Sequence, residues 1–389
     1  MSPQQVQAQS QSYEILPSPD LWYNDVDGIL LGLRLKGQVP GSFDDGPHRL
    51  DASAWVGLWF PRVPVSYRLS YTEPIPAWSD FGSEANVQAF SSIRTGFHQH
   101  GLRFNKRWQQ GFDERKFWEV SLRAEYRNRF DLEYTHFPQL WSLDDHFFTQ
   151  ALLSHQGETP LGSFAIGGSV QGQWVNSSFV QATLEATKEI PFARFWGLRL
   201  RTYGGVASGD TAPEYLFSRS TAPAADWLGS AVSRAKGTIP QPWIRSGNFQ
   251  VAGGPNLRGY TKQDVQSFRD DENGPFLQNS IGAFNAEFDF ASPFNVLLDN
   301  AGMVSDFLSV RSYLFFDAGT SLGLTSNEID NVFANSGAGL ALSLNIPGPD
   351  GRPRGFVFRY DVPFWLSDPA DGDEFQYRSI FAFGAVVSF

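Results

Sequence analysis

Apolar and polar residues alternate along most of this chain. The clearest run sets Trp118, Val120, Leu122, Ala124 and Tyr126 against Glu119, Ser121, Arg123, Glu125 and Arg127. Period-two alternation marks a strand whose two faces meet different surroundings. Four charges on one face exclude the core of a soluble sandwich and suit a wet interior. Val65, Tyr67, Leu69 and Tyr71 interleave with Ser66, Arg68, Ser70 and Thr72 in the same way, and Trp196, Leu198 and Leu200 with Gly197, Arg199 and Arg201. Comparable runs cover 29–36, 51–60, 95–108, 146–155, 163–175 and 178–188. After a long gap they resume at 281–291, 308–320, 333–346, 354–364 and 377–389. The pattern predicts fourteen strands of about 10–13 residues, close to the roughly 9–11 with which a tilted strand crosses a bilayer.

The connections differ in length. Those at 61–64, 110–114, 157–162, 190–193 and 347–351 are short, whereas 38–48, 74–94, 128–145, 207–280, 323–332 and 365–376 are longer. Short turns on one side and long loops on the other are the pattern of a membrane barrel. Residues 176–178 and 293–307 break the alternation. The segment 207–280 does not alternate at all, and a structureless stretch of that length in a compact fold is functional or disordered.

Composition sharpens the choice. Aromatic residues make up 15%, with Phe 35, Trp 12 and Tyr 12, more rings than a soluble domain needs. An apolar lipid face with aromatic girdles at both interfaces uses them. No apolar run reaches the roughly 18–20 residues of a membrane helix. With Cys 0, disulfides and thiolate metal sites are excluded. The net charge of -11 and the lack of any basic stripe exclude a nucleic-acid partner. Acidic stretches such as Asp144-Asp145, Asp270-Asp271-Glu272 and Asp371-Gly372-Asp373-Glu374 read as solvated loop charge. The Gln/Ser-rich opening is no signal peptide; residues 1–20 read as a disordered tail or linker and 21–389 as the barrel. The expected fold is all-β: a closed antiparallel transmembrane β-barrel of fourteen strands.

Within the long loop lies Gly253-Gly254-Pro255-Asn256-Leu257-Arg258-Gly259-Tyr260. Glycines allow close backbone approach, and the Arg fork can bind a carboxylate through two parallel bonds. On these grounds alone the segment could equally be a flexible surface loop. Gly-Gly-x-x-Leu-Arg-Gly-Tyr resembles the signature of the sixth loop in the BamA-like outer-membrane superfamily, the bacterial surface antigen family. The strands after it resemble that family in order: Ala283-Phe284-Asn285-Ala286-Glu287-Phe288, Tyr313-Leu314-Phe315-Phe316-Asp317-Ala318-Gly319, Ser336-Gly337-Ala338-Gly339-Leu340 and Phe356-Val357-Phe358-Arg359-Tyr360-Asp361-Val362-Pro363. A terminal Phe389 completes the set, so the likeness covers 250–389.

The resemblance implies that the loop folds back into the lumen and that Arg258 pairs with Glu287 and Asp317, with Gly254, Gly259 and Tyr260 as the rest of the motif. Parity independently puts both carboxylates on the polar faces of their strands. The family has eleven strands before this loop where the pattern gives nine; two polar strands hidden in 74–94 or 207–250 would make sixteen. The client-receiving periplasmic repeats of the family's insertases and transporters are not found in this sequence.

No His-Glu-x-x-His, Gly-x-Ser-x-Gly or phosphate loop occurs in the sequence, so neither catalysis in this chain nor a cofactor is expected. His98 and His100 could share a strand face, a spacing that barrel-wall residues also have. Three functions fit. The first is a bacterial outer-membrane barrel that inserts or translocates polypeptides, its partners being outer-membrane lipid and lipopolysaccharide, client polypeptides or accessory lipoproteins. The second is the membrane anchor of a fused enzyme: Leu21-Trp22-Tyr23-Asn24-Asp25-Val26-Asp27-Gly28 resembles the first barrel strand after metallopeptidase domains in some outer-membrane fusions. The third is a small-solute pore.

Overall fold

The computed structural model describes residues 13–38, 49–80, 82–109, 113, 115–269, 275–299, 302, 307–321, 332–347, 353–370 and 372–384. Sixteen antiparallel strands form one sheet in chain order. They are β1 (Glu14–Asn24), β2 (Gly28–Gln38), β3 (Arg49–Gly57), β4 (Val65–Pro74), β5 (Ser83–Arg94), β6 (Phe97–Gln109), β7 (Phe117–Arg129) and β8 (Asp145–Thr159). There follow β9 (Gly162–Gln173), β10 (Phe179–Ala193), β11 (Trp196–Ala207), β12 (Ser280–Phe290), β13 (Leu308–Thr320), β14 (Phe333–Pro347), β15 (Pro353–Leu366) and β16 (Ile380–Gly384).

The sheet thus has sixteen strands where the alternation predicts fourteen, with eleven before the long loop. The two extra strands have different causes. β5 lies within 74–94; its outward row, Ala85, Val87, Ala89, Ser91 and Ile93, is mostly small, and its inward row sets Phe90 between Gln88 and Ser92, so the two faces contrast weakly. β1 carries Pro17 and Pro19, which cannot donate to a ladder and are tolerated at a sheet edge. It takes in residues 14–20, which composition assigns to the tail. Missing β5 also inverts the sides of what precedes it. The 58–64 connection lies with the long 208–279 loop and not with the short 160–161 and 194–195 turns; residues 39–48 lie outside the described residues.

Register fixes two faces. Arg103 stands opposite Gln88 and Arg123, and Gln150 opposite Arg123 and Gln171, so these polar side chains share one face. The other face carries Leu33, Leu69, Leu102, Leu122, Leu153, Val170, Leu184 and Leu314, all exposed. Exposed rings gather at both ends of that face. Tyr23, Trp59 and Trp174 lie toward the long loops, and Trp78, Trp108, Trp118 and Trp196 toward the short turns. His98 and His100 belong to this aromatic surface: His98 packs on Phe130 at 4.6 Å and His100 stacks with Tyr126.

Residues 208–279 show that the sheet is curled. Asp25 N donates to Lys236 O at 2.9 Å, and Thr238 Oγ1 donates to Tyr23 O at 3.1 Å, at β1. Phe381 N donates to Asn248 O and Gln250 N to Phe381 O, adding a short parallel segment to β16. The ten residues from Thr238 to Asn248 reach at most about 35 Å. A flat sheet of this many strands would hold its two edges roughly 70 Å apart. The sheet therefore wraps around the loop, with the loop touching both edge strands. No β1–β16 pairing occurs among the described residues.

The main apolar core lies inside this wrap. Phe137, Leu140, Trp227, Ile239, Ile244, Phe249, Val265 and Phe268 form one buried cluster joining the 130–144 loop to the long loop. His136 sits at its margin, against Trp227 and within 3.2 Å of Gln241 Nε2. Burial lowers its pKa to about 4.

Because the unfolded histidine titrates near 6.5, the unfolded chain binds the extra proton first as pH falls. The His136 contribution is present above about pH 6.5 and is lost toward pH 4, amounting to roughly 3 kcal/mol. Proteolysis of the two loops should therefore rise over that window in the wild type. His136→Gln should remove this part of the pH dependence; identical profiles would contradict it.

Candidate functional site

β12 and β13 present the acidic wall onto which the Gly-rich loop docks. Their inward rows are fixed by register: Arg201, Asn285, Asp317 and Asn335 lie in one row, and Arg199, Glu287 and Phe315 in the next. Asn285, Glu287 and Asp317 are buried although charged or polar, because the loop covers them.

Arg258 meets this wall in a short turn, Arg258–Tyr260. Its Nε and Nη2 donate to Asp317 Oδ2 and Oδ1 at 2.9 and 2.7 Å, a two-pronged fork. Nη1 donates to Glu287 Oε1 at 2.6 Å, and the Arg258 backbone N–H donates to Asp317 Oδ2 at 3.2 Å. The guanidinium lies 3.9 Å from the Phe315 ring centroid. Burial opposes its charge, but Asp317 and Glu287 hold its pKa well above the ordinary value.

The remaining motif residues have steric and polar reasons. A Cβ on Gly259 would stand 2.8 Å from Asn335 Cβ and 3.0 Å from Leu366 Cδ1, so only glycine lets the turn sit this low. Gly254 has φ +58, the left-handed region that favours glycine, and its carbonyl accepts from Arg201 Nη2 at 2.7 Å. Tyr260 OH lies 3.1 Å from both Ala334 O and Ser367 Oγ, with its ring against Phe333. The structure thus brings Arg258, Gly254, Gly259, Tyr260, Glu287 and Asp317 together; Phe389 lies outside the described residues.

Several participants carried no earlier assignment. Arg311 Nη1 donates to Glu287 Oε2 at 2.5 Å and to Asp289 Oδ1 at 2.7 Å. Asp361 lies 3.9 Å from Arg258 Nη1, accepts from Tyr313 OH at 2.6 Å and pairs with Arg359. Asn285 Nδ2 donates to Asn256 O and Asp317 Oδ1, joining loop to wall. Arg201 reaches Glu185 and Asn285 as well as Gly254. Within the loop, Arg219 pairs with Asp264 at 2.9 Å, and Ser220 N and Oγ donate to the same carboxylate. The shared parity of Arg311 with Asp317 was readable from sequence; the Arg219–Asp264 pair, joining two irregular segments, left no periodic signal.

Chemically the cluster is suited to holding. Both Asp317 oxygens and both Glu287 oxygens accept bonds from arginine. Neither carboxylate keeps an open oxygen for proton transfer. Among the described residues no three His, Cys, Asp or Glu are grouped to hold a metal ion.

No family model matches the sequence, and no curated protein sequence matches it. Among solved structures the chain is similar to BamA from Haemophilus ducreyi lacking POTRA domains 1–3, with 15% identity and TM-score 0.49, over 96% of this chain and 70% of that one. It is also similar to CdiB from Acinetobacter baumannii, with 12% identity and TM-score 0.37, over 95% of this chain and 59% of that one. At OccK11 (OpdR) from Pseudomonas aeruginosa the TM-score falls to 0.29 at 10% identity, over 96% of this chain and 90% of that one.

Arg258→Ala should free the loop, because it leaves Asp317 buried without its cation and Glu287 Oε1 without its partner, at a cost of roughly 3–5 kcal/mol. Arg258→Lys should rescue poorly, since an ammonium has no fork. Gly259→Ala should act in the same direction through its clash. Protease cutting within 208–279 reads this, and heat-modified gel mobility reports the sheet separately. Unchanged loop protection in Arg258→Ala would remove the role argued for the cluster.

Proposed function

We propose that the chain is a closed transmembrane β-barrel of the bacterial outer membrane and of the BamA-like superfamily. In this reading the loop at 208–279 is latched in the lumen, and the barrel serves protein insertion or translocation as the barrel domain of a larger assembly or polypeptide. The observation that carries the reading is the buried Arg258 bridge to Glu287 and Asp317, formed by the motif whose sequence resembles that family's loop. The apolar outward face with rings at both ends, and the charged inward face, support the membrane placement. The partners of such a barrel are outer-membrane lipid with lipopolysaccharide, and client polypeptides or accessory lipoproteins.

A membrane anchor for a fused enzyme, such as a metallopeptidase, is the second reading. The interior filled by the Phe137–Phe268 cluster favours it over a small-solute pore, because an anchor needs no passage. The two remaining readings differ in whether the loop has to move. An insertion or translocation barrel loses activity when the loop is tethered by an added crosslink, and an anchor does not.

Planar-bilayer recordings should show little steady conductance in the wild type and more in Arg258→Ala. Large porin-like conductance in the wild type would overturn the latched lumen. Placement in the bilayer has its own check. Leu122→Arg puts a charge on the lipid face and should cost about 2–4 kcal/mol in lipid vesicles if the site is near the midplane. Thr183→Arg, on the inward face opposite Ser169, should cost much less; equal costs would contradict the assigned faces.

A further inference from the structure

A second charged region lies away from the Arg258 cluster, on the inward face of β4 to β7. Register aligns Arg68 with Ser92, Gln99 and Arg127 in one cross-strand row. Thr72, Gln88, Arg103 and Arg123 form another row, and Ser70, Phe90, Gly101 and Glu125 lie between the two. Arg103 and Arg123 stand directly opposite one another. Like charges so placed destabilise a strand pair unless an opposite charge lies between them.

The long loop roofs these rows through Ala225, Asp226, Leu228, Gly229 and Arg234, enclosing a cavity of about 320 Å³. That volume falls in the range of small-ligand sites. Arg68, Arg94, Arg103, Arg123, Arg127 and Arg234 line it. Against six guanidinium groups stand Asp226 on the roof and Glu125, which pairs with both Arg123 and Arg127. Six minus two leaves a formal charge of +4. Arg94 is held over the Trp55 ring at 4.4 Å and Arg123 over Phe90 at 4.8 Å, and Arg234 donates to Leu228 O. The Nε groups of Arg103, Arg123 and Arg127 are buried without a hydrogen-bond partner. The excess charge, the opposed arginines and the unused donors all call for an anion.

We propose that this chamber between the sheet wall and the loop is a binding site for a compact polyanion of the phosphate class, of diphosphate size. Arginine forks converge from β4, β5, β6, β7 and the loop, so donors approach from several directions. A tetrahedral oxyanion uses that arrangement better than a planar carboxylate does. The chamber opens on the inward face, so its occupant comes from the aqueous side. It shares no residue with the Arg258 cluster, and the proposal does not depend on the function of the barrel.

The test uses the full chain folded in detergent micelles, with inorganic pyrophosphate as probe, phosphate as the smaller oxyanion, citrate as the carboxylate, and sodium chloride at matched ionic strength. Calorimetric titration should give saturable pyrophosphate binding, with citrate and phosphate weaker. Arg103→Gln and Arg234→Gln should each weaken pyrophosphate binding about tenfold or more. Arg34→Gln, on β2, whose arginine pairs with Asp51 on β3, should leave it unchanged. Arg234 lies in the loop, so its substitution tests the site even if Arg103→Gln folds poorly, and heat-modified mobility reports folding of each. Pyrophosphate acting no more strongly than matched salt would overturn the site. Equal binding by wild type and Arg234→Gln would do the same. Tighter binding of citrate would overturn the phosphate class.

Discussion

A loop of some seventy residues can be held inside a wrapped sheet only if something offsets the entropy of ordering it. Here a single guanidinium meets two carboxylates on adjacent strands, and the fork geometry fixes position as well as attraction. The contact works because it is enclosed. Phe315 lies under the arginine, Gly259 allows the turn to sit against Asn335, and Tyr260 is fastened to Ala334 on β14 and to Ser367 just after β15. Each of these would lose its reason without the bridge. The buried carboxylates in turn would be costly on an open wall, so loop and wall stabilise each other.

The division between legible and illegible parts follows from where periodic signals arise. Strands with large residues on one face and charges on the other, such as β7, announce themselves, because each face meets a uniform environment. β5 sets mostly small residues outward and Phe90 inward, so its faces contrast weakly, and β1 carried prolines that only an edge position tolerates. Sidedness then failed for the segments before β5, since one missed strand reverses every connection ahead of it. The carboxylates facing Arg258 could be found because strand parity and a motif both pointed to them. Arg219–Asp264 and the core built on Phe137 and Trp227 join segments far apart in sequence with no repeating pattern, so only the folded chain shows them.

The interior is also divided electrostatically. Around Arg258 the charges nearly cancel, with Arg311, Arg359 and Arg201 beside Glu287, Asp289, Asp317 and Asp361. Toward β4 to β7 arginines prevail. One loop spans both regions, closing the balanced one with its motif and the cationic one with residues 225–234. Movement of the loop would thus open two compartments of different charge together.

The parallel contact of Asn248–Gln250 with β16 has a consequence for the sheet edge. An unpaired strand edge is a template for any extended chain that meets it. On β16 that template is already taken at Phe381, by two backbone hydrogen bonds from the protein's own loop and by Trp243 stacked on the Phe381 ring. Two such bonds contribute little net free energy, about 1 kcal/mol each. A foreign strand arriving there meets an exchange rather than a vacancy: it must compete bond for bond with a tethered rival that is always at high local concentration, and only a longer ladder than the rival can form will win.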